Sequence, residues 1–557
     1  MSKTKSIGIN FSGYPYSASH FILDNGGLLL LDALSDTGHD AVFFDFNVPS
    51  AIDALKISTD TQHSLENAVN RILSLGDKID PALLQDLNAI EESADSERED
   101  KVRIISTRLI EYIQRNDVGW VWMKLWTGDG FRYSQLIAQE IKKAVPGIKI
   151  VGGGHHVRLF RKHVFDLTDS FDVLSYGEGE IILPLLGDWV AGSKDLDKIP
   201  GIMYKQKKHG NTEIIDTKGS FLAPVDLMNR FVLPKHFHDH YFPIYVGLEE
   251  KILMGLSEIS RGCPNDHPYC QHTLNSGASW RLVNPEVVVE NIRRLNDNNI
   301  FVIRFADSNP PRSQQLLVYE LMKKSGLTKN LITAFCEIPQ FTEELGSAFR
   351  SVGGFSYFFG VESGCERILK GLGKNYSPGE ANYKIQMAKQ FGIKVVASFM
   401  IPTINDDEIS IAETEAFILS SRPDFCPLLP TIPMAKMLDD PGRYGYTLGP
   451  NFLDVFQYYS PKLHIPPQLG SSLPVNMGCW SWDKLKAICG GVAYRLERGG
   501  IPTVISDETL LLAELAGKGD DPKTFNREFI DSLRKGDSEY VSECISRINQ
   551  RVSQPQH

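Results

Sequence analysis

The sequence predicts an α/β protein built from two successive parallel-sheet domains and a mainly helical C-terminal region. Three observations support this. Short apolar runs alternate with amphipathic helical patterns before residue 200, and the alternation restarts near residue 252; strands separated by helices make βαβ units and hence parallel sheets. Glycine turns such as "IVGGG" and "SYGEGE" follow strands of the first block, at the strand ends where open parallel sheets hold ligands. From about residue 448 the alternation stops, and turns and helical patterns take over.

In chain order, "KSIGINFS" reads as a strand that ends in a glycine–proline turn, "GLLLLDALSDTG" as a helix and "DAVFFDF" as a second strand. A polar, helix-prone insert fills 51–115, and its acidic stretch "EESADSERED" is expected to be solvated. "GWVWMKLW", "IKIVGGG" and "FDVLSYGEGE" are further strands, with the amphipathic helix "SQLIAQEIKKAV" between the first two. "GIMYKQKKHGNTEIID" reads as a β-hairpin and "LPKHFHDHYFP" as a loop. His236, His238 and His240 alternate there and would share one side of an extended segment, but nothing else nearby supports a metal site, so they read as linker histidines.

Six strands follow: "ILMGLSEI", "IFVIRFAD", "LITAFCEI", "FSYFFGVES", "IKVVASFMI" and "FCPLLPTI". Helical patterns such as "PEVVVENIRRLND" and "ANYKIQMAKQFG" separate most of them. Six βα units make a partial barrel open on one side. "DKLKAICGGVAYRLERG", "DETLLLAELAG" and "FNREFIDSLRKG" supply the helical end, expected to cap that open side, with Cys479 and Cys489 as core residues. The expected domains are 1–200, a hairpin linker at 201–250, the barrel at 251–447 and the cap at 448–557.

A chain of 557 residues exceeds a single hydrophobic core. Its 42% apolar and 23% charged residues suit a soluble globular protein, and its net charge of −11 without a basic run argues against nucleic acid or an anionic membrane as partner. A small molecule or a peptide is the expected substrate. No signal peptide and no 18-residue apolar run occur, so a cytoplasmic location is expected. The eight cysteines are scattered, as buried thiols of a reducing compartment would be, and only Cys263 and Cys270 have the spacing of ligands.

Those two cysteines sit in "SRGCPNDHPYCQHT", a loop just after the first barrel strand. "WRLVNPEVVVENI", "RFADSNP" and "FGVESGCERILKGLGK" follow in order. Together they resemble the radical S-adenosylmethionine (SAM) superfamily over roughly 250–435, where three cysteines in a CxxxCxxC loop hold a [4Fe–4S] cluster. In the first block, "GGLLLLDALSDTGHDAVFFDF", "IVGGGHHVRLF" and "VLSYGEGE" resemble the Rossmann-like cobalamin-binding domain of the cobalamin-dependent members. The resemblance implies that fold, a partial (β/α)6 radical SAM barrel, and cobalamin, SAM and the cluster as cofactors.

It also implies residue roles. Cys263, His267 and Cys270 fall on the cluster-ligand positions; Tyr269, Asp307, Glu337, Glu362 and Ser363 on SAM-facing ones; and Thr127, Gly152, Gly153, Gly154, His155, Gly177 and Glu178 on the cobalamin side. The departure is His267, which stands where the family has its middle cysteine. A neutral imidazole in place of a thiolate removes a negative charge and raises the cluster's reduction potential, which suits reductive SAM cleavage poorly. Three readings stay open: a histidine-ligated cluster, a lost cluster with the loop kept as scaffold, or a third ligand from Asp266 or His272.

The implied function is a methyltransferase or rearrangement catalyst acting on a small specialised metabolite or peptide, by a radical route that needs an electron donor or by polar methyl transfer. The alternative is a non-catalytic cobalamin- or partner-binding protein. A tRNA methylthiotransferase would need the third cysteine and a basic surface, and the sequence has neither.

Overall fold

The computed structural model describes residues 4–11, 21–75, 80–208, 210–219, 222–229, 240–243, 250–459, 472–503 and 507–554. The first sheet comprises β1 (Lys5–Asn10), β2 (Asp40–Asp45), β3 (Trp120–Lys124), β4 (Lys149–Gly153), β5 (Val173–Ser175), β6 (Ile202–Lys208), β7 (Asn211–Asp216) and β8 (Tyr241–Pro243). Their order is β7-β6-β5-β4-β3-β1-β2-β8. All pairings are parallel except β5–β6 and β6–β7. Consecutive buried residues in β2, β3 and β4, such as Phe43, Trp122 and Val151, show a sheet covered on both faces.

The expected hairpin forms, but 201–250 is no separate linker. β6 pairs with the three-residue β5 and β8 pairs with β2, so segments from this stretch form both outer ends of the sheet. Each gives an otherwise unpaired strand edge its hydrogen bonds. His236 and His238 lie outside the described residues; His240 Nδ1 sits 3.1 Å from the Ala41 carbonyl, a backbone contact.

The insert is three helices, the last running Pro81–Arg115. The acidic stretch is not simply solvated. It lies in the middle of that helix, where Ala94 is buried and Asp95 pairs with Arg132 at 3.1 Å across to the helix Asp129–Ala144.

The second sheet is a partial barrel. β9 (Gly255–Ser257) leads into a two-stranded ribbon, β10 (Ser260–Arg261) and β11 (Arg281–Leu282), and β12 (Val302–Phe305), β13 (Leu331–Phe335), β14 (Gly354–Glu362), β15 (Lys394–Met400) and β16 (Leu428–Leu429) complete it. The order β16-β15-β14-β13-β12-β9 is parallel throughout and leaves β9 and β16 unpaired with each other.

The C-terminal region is not one helical cap. β17 (Tyr446–Leu448), β18 (Val475–Met477) and β19 (Trp480–Ser481) form a small antiparallel sheet. Tyr446, Phe452, Phe456 and Trp482 from this part share a core with Phe131, Val157 and Phe160 of the first domain. The helix Trp482–Arg498 packs beside β16. The helices from Asp507 to Val552 close the amino-terminal end of the barrel strands rather than its open side: Asn549 accepts from Leu253 N at 2.8 Å and donates to the Lys251 carbonyl at 2.6 Å. Cys489 is buried as expected, whereas Cys479 is exposed, because it lies in the turn between β18 and β19. Among the described residues no helix is long and apolar enough to cross a membrane.

Candidate functional site

In the first sheet the strand order reverses at β1, between β3 and β2, and such a switch point opens a crevice at the carboxyl ends of the strands. A cleft of about 1130 Å³, counting its open mouth, lies there. β3 supplies Trp122 and Lys124, the end of β4 supplies Gly153, the turns after β4 and β5 supply Gly154 and Gly177, and the helix Asn25–Asp36 supplies Asn25 and Gly26. The facing wall is Glu258 and Arg261, which begin the barrel's loop. Gly154 has φ of 100°, open to glycine and strained for other residues, and a Cβ there would sit 3.3 Å from the Leu125 carbonyl oxygen.

Charges in the cleft are largely matched. Lys124 Nζ reaches Asp24 Oδ2 at 2.5 Å, while Glu178 receives Arg281 at 2.7 Å and Arg261 at 3.4 Å. Arg261 also holds Glu180 and Glu258, both at 2.8 Å. His155 is held neutral: burial, with Arg158 and Lys124 nearby, lowers it to about 4. Burial lowers the Arg158 guanidinium to about 10.

Of the cobalamin-side residues expected from sequence, Gly153, Gly154, His155, Gly177 and Glu178 line the cleft. Gly152 lies inside the sheet, where a Cβ would fall 2.7 Å from Leu125 Cδ1. Thr127 faces His156, its hydroxyl 3.4 Å from Nδ1; His156 is buried between Phe131 and Phe160 and lowered by burial to about 3.

The second site lies at the carboxyl end of the barrel. Cys263 is buried and accepts from Asn309 Nδ2 at 3.5 Å. The same Asn309 nitrogen donates to Glu337 Oε2 at 3.2 Å, and Asn265 donates to Glu337 Oε1 at 2.9 Å, so Glu337 is braced by the loop and by the turn after β12. Cys270 precedes the helix Gln271–Ser276, and burial raises its thiol. His267 stacks on Tyr269 at 5.4 Å with an interplanar angle of 9°. Burial and the Lys374 ammonium lower His267 to about 4, so its imidazole is neutral with a lone pair available. Glu362 has φ of 69° at the bulged end of β14 and pairs with Lys374 at 3.3 Å. A non-glycine residue held there is local strain, which tends to gather at functional sites.

Two expected SAM-facing residues turn elsewhere. Asp307 is buried and accepts from Ile259 N at 3.0 Å, from Ser260 Oγ at 3.0 Å and from Ser260 N, buckling the loop after β9; burial pushes it up to about 7. Ser363 is fully enclosed, 3.0 Å from Thr414 Oγ1 and accepting from Cys365 N. Both alternative third ligands are engaged: Asp266 pairs with Lys436, and His272 Nδ1 lies 2.8 Å from Ser308 Oγ. Sequence reasoning did not single out Asn25 and Trp122, nor Asn309, Lys374 and Arg158, although these last three lie in the quoted segments "RFADSNP", "FGVESGCERILKGLGK" and "IVGGGHHVRLF".

Residues 257–414 match the model of the Radical SAM superfamily. This chain carries a radical SAM domain.

Among curated proteins, the chain is 26% identical over 270 residues to an uncharacterized methyltransferase of Pyrococcus horikoshii, covering 48% of this chain and 56% of that protein. It is 23% identical over 267 residues to a hopanoid C-3 methylase of Methylococcus capsulatus, covering 47% and 49%. The chain thus spans about half the length of the curated relatives it matches. Among solved structures, the radical S-adenosylmethionine methyltransferase TsrM from Kitasatospora setae, with cobalamin and a [4Fe–4S] cluster bound, superposes with a TM-score of 0.64 at 13% identity, covering 96% of this chain and 99% of that one. That likeness is one of fold, from the first sheet through the radical SAM domain to the C-terminal helices.

Within the radical SAM domain, the loop's helix Gln271–Ser276 packs on the helix His155–Phe160 of the first domain, and Arg261 of the same loop lines the cleft. The two sites share a wall.

Proposed function

We propose that the protein is a cobalamin-dependent radical-SAM-type enzyme, in first instance a methyltransferase acting on a small molecule or peptide, with a cluster loop of two cysteines and one histidine. The shared wall carries this reading. The cleft at the switch point of the first sheet opens against Arg261, at the foot of the loop that bears Cys263 and Cys270.

The donor set fits a cluster. Cys263 and Cys270 are free thiols, His267 is neutral, and the competing donors Asp266 and His272 are committed to Lys436 and Ser308. Among the described residues no three such groups converge on a single metal ion; a cubane asks less, since each ligand binds a different iron. Two carboxylates border the loop. Glu337, fixed by Asn265 and Asn309, and Glu362, fixed by Lys374, offer acceptors to the ammonium and hydroxyl groups of SAM. Tyr269, parallel to His267, gives an aromatic face.

When bound, cobalamin supplies a cobalt centre for methyl transfer and the cluster supplies an electron to SAM. The chain's own groups orient these partners and exclude water: Arg261 ties Glu178, Glu180 and Glu258 across the domain junction, and Trp126 and His155 meet at 6.0 Å beside it.

The test is anaerobic reconstitution with iron, sulfide and hydroxocobalamin, followed by metal and corrin analysis and low-temperature EPR. The expected result is bound corrin, about four irons per chain and a reducible signal. His267→Ala should lose most of the iron, whereas His267→Cys should keep it and lower its reduction potential. Corrin binding with no iron uptake would remove the cluster from the reading, and iron uptake indifferent to both substitutions would remove His267 as its ligand. No corrin would overturn the reading.

A further inference from the structure

The turn after β12 grips the cysteine loop with three consecutive residues. Asp307 accepts from Ile259 N at 3.0 Å and from the Ser260 amide and hydroxyl, just before Cys263. Ser308 Oγ lies 2.8 Å from His272 Nδ1, just beyond Cys270. Asn309 Nδ2 donates to Cys263 Sγ itself at 3.5 Å. One tripeptide thus brackets both cysteines, with bonds made by the chain alone.

The loop is also pressed against its own return. Cys263 N donates to the Gly277 carbonyl at 3.1 Å, and a Cβ on Gly262, whose φ is 88°, would fall 2.1 Å from the Ser279 carbonyl oxygen. Only glycine lets the chain pass this close. Trp280 Nε1, beside that return, donates to the Asn309 carbonyl at 2.8 Å.

The direction of the Asn309 amide follows from a backbone donor. The Arg312 N–H can only donate, so the Gln340 side-chain oxygen must face it, at 2.7 Å. The Gln340 nitrogen then faces Asn309 Oδ1 and donates to it. That leaves Asn309 Nδ2, with two protons, for Cys263 Sγ and for Glu337 Oε2 at 3.2 Å. Turning either amide over would set donor against donor and acceptor against acceptor. Asn309 is 7% exposed, which keeps water from competing for these bonds.

We propose that residues 307–309 are a clasp that sets the cysteine loop before any metal binds, and that Asn309 is a positioning residue whose N–H tunes a sulfur ligand. This rests on the cluster reading and goes beyond it by naming residues that are not ligands. Hydrogen bonds to a cluster's sulfurs help set its reduction potential, and a donor that draws charge off the sulfur raises it. Asn309 supplies one such bond to Cys263, and Gln340 acts through Asn309 by holding its amide in that direction. The same amide ties Cys263 to Glu337, so the sulfur and the carboxylate keep a fixed separation.

Two measurements test this. Hydrogen exchange of the full-length, metal-free protein, read by mass spectrometry over 257–263, should be slowed at least about tenfold relative to an unstructured peptide. Adding iron and sulfide should change it little. A loop that exchanges freely until iron is added overturns the clasp while the cluster reading stands. The second measurement is an EPR-monitored redox titration after reconstitution with iron and sulfide. Asn309→Leu and Gln340→Leu should both lower the potential. For Asn309→Leu the reduced-to-oxidised ratio at a fixed poise should fall about fivefold, the worth of one hydrogen bond, and for Gln340→Leu by less. A merely structural role would lower the iron content and leave the potential of the remaining clusters where it was. Unchanged potentials in both variants overturn the tuning, again with the cluster reading intact. Gln340 lies outside the cysteine loop, so its variant decides the matter if Asn309→Leu does not fold. If the unmodified protein takes up no iron, the cluster reading fails and the proposal with it.

Discussion

The two ends of the central barrel are finished in opposite ways. At the amino-terminal end, Arg304 from β12 reaches Asp507 at 2.9 Å and also Glu508, and Thr333 donates to the same Asp507 oxygen. Around that ion group, Val302, Phe355 and Val396 from the strands share a core with Leu511, Phe529 and Ile545 from the last helices. At the carboxyl end, Glu362 is held at positive φ and the buried Tyr269 hydroxyl has no hydrogen-bond partner among the described residues. One end is closed by an ion group set in an apolar core, and the other carries a strained carboxylate and an unpaired hydroxyl beside the cysteine loop. The contrast separates the work of the fold: stability is concentrated where the tail closes the barrel, and binding capacity where the loops leave it open.

The largest effect should therefore come from the closed end. Arg304→Met leaves Asp507 and Glu508 enclosed without their cation, and breaking a buried pair from one side costs about 3–5 kcal/mol. Urea unfolding would measure it. A loss below about 1 kcal/mol would mean that water reaches the group and that this end is no more closed than the other.

A middle-sized effect belongs to Asp307, at the open end but turned inward. Burial pushes it up to about 7, above the ordinary carboxylate range, so the folded state holds its proton more tightly than the unfolded chain. That stabilisation is fully present below about pH 4 and is lost as pH rises through about 7. Between about pH 5 and about pH 8 the unmodified protein should lose stability more steeply than Asp307→Asn, whose side chain has the same shape and does not titrate. Parallel stability curves would show that Ile259 and Ser260 hold the carboxylate ionised instead.

Much of this organisation was legible in the sequence, because period-2 and period-3.6 patterns report burial, and the glycine turns at 153, 154 and 177 report where the backbone must stay clear. The spacing of Cys263, His267 and Cys270 gave the loop. Pairings over long separations were not legible. Asn309 meets Cys263 from 46 positions away and Glu337 from 28, and its place in "RFADSNP" does not say which groups it meets. The two- and three-residue strands β17, β18 and β19 are too short to show alternation, and the region was therefore read as helical. Asp307 and Ser363 were placed correctly at strand ends, but a strand-end carboxylate or hydroxyl can serve the adjacent turn as readily as a ligand, and only the positions of Ser260 and Thr414 distinguish the two.

The smallest effect on stability should fall at Tyr269. Removing one partner of a buried hydrogen bond is costly because the other is orphaned, but removing a hydroxyl that has no partner orphans nothing. Tyr269→Phe keeps the ring stacked on His267 and should shift unfolding by no more than about 0.5 kcal/mol in either direction. Burial and the nearby charges of Glu362, Tyr376 and Glu337 act on the hydroxyl, raising it above the ordinary tyrosine range. If the open end is a binding site, SAM affinity measured by equilibrium dialysis should fall by about fivefold, the worth of one hydrogen bond, while the fold is unmoved. A loss of stability without a loss of affinity would reverse the comparison, because Tyr269 would then serve the fold as the closed end does.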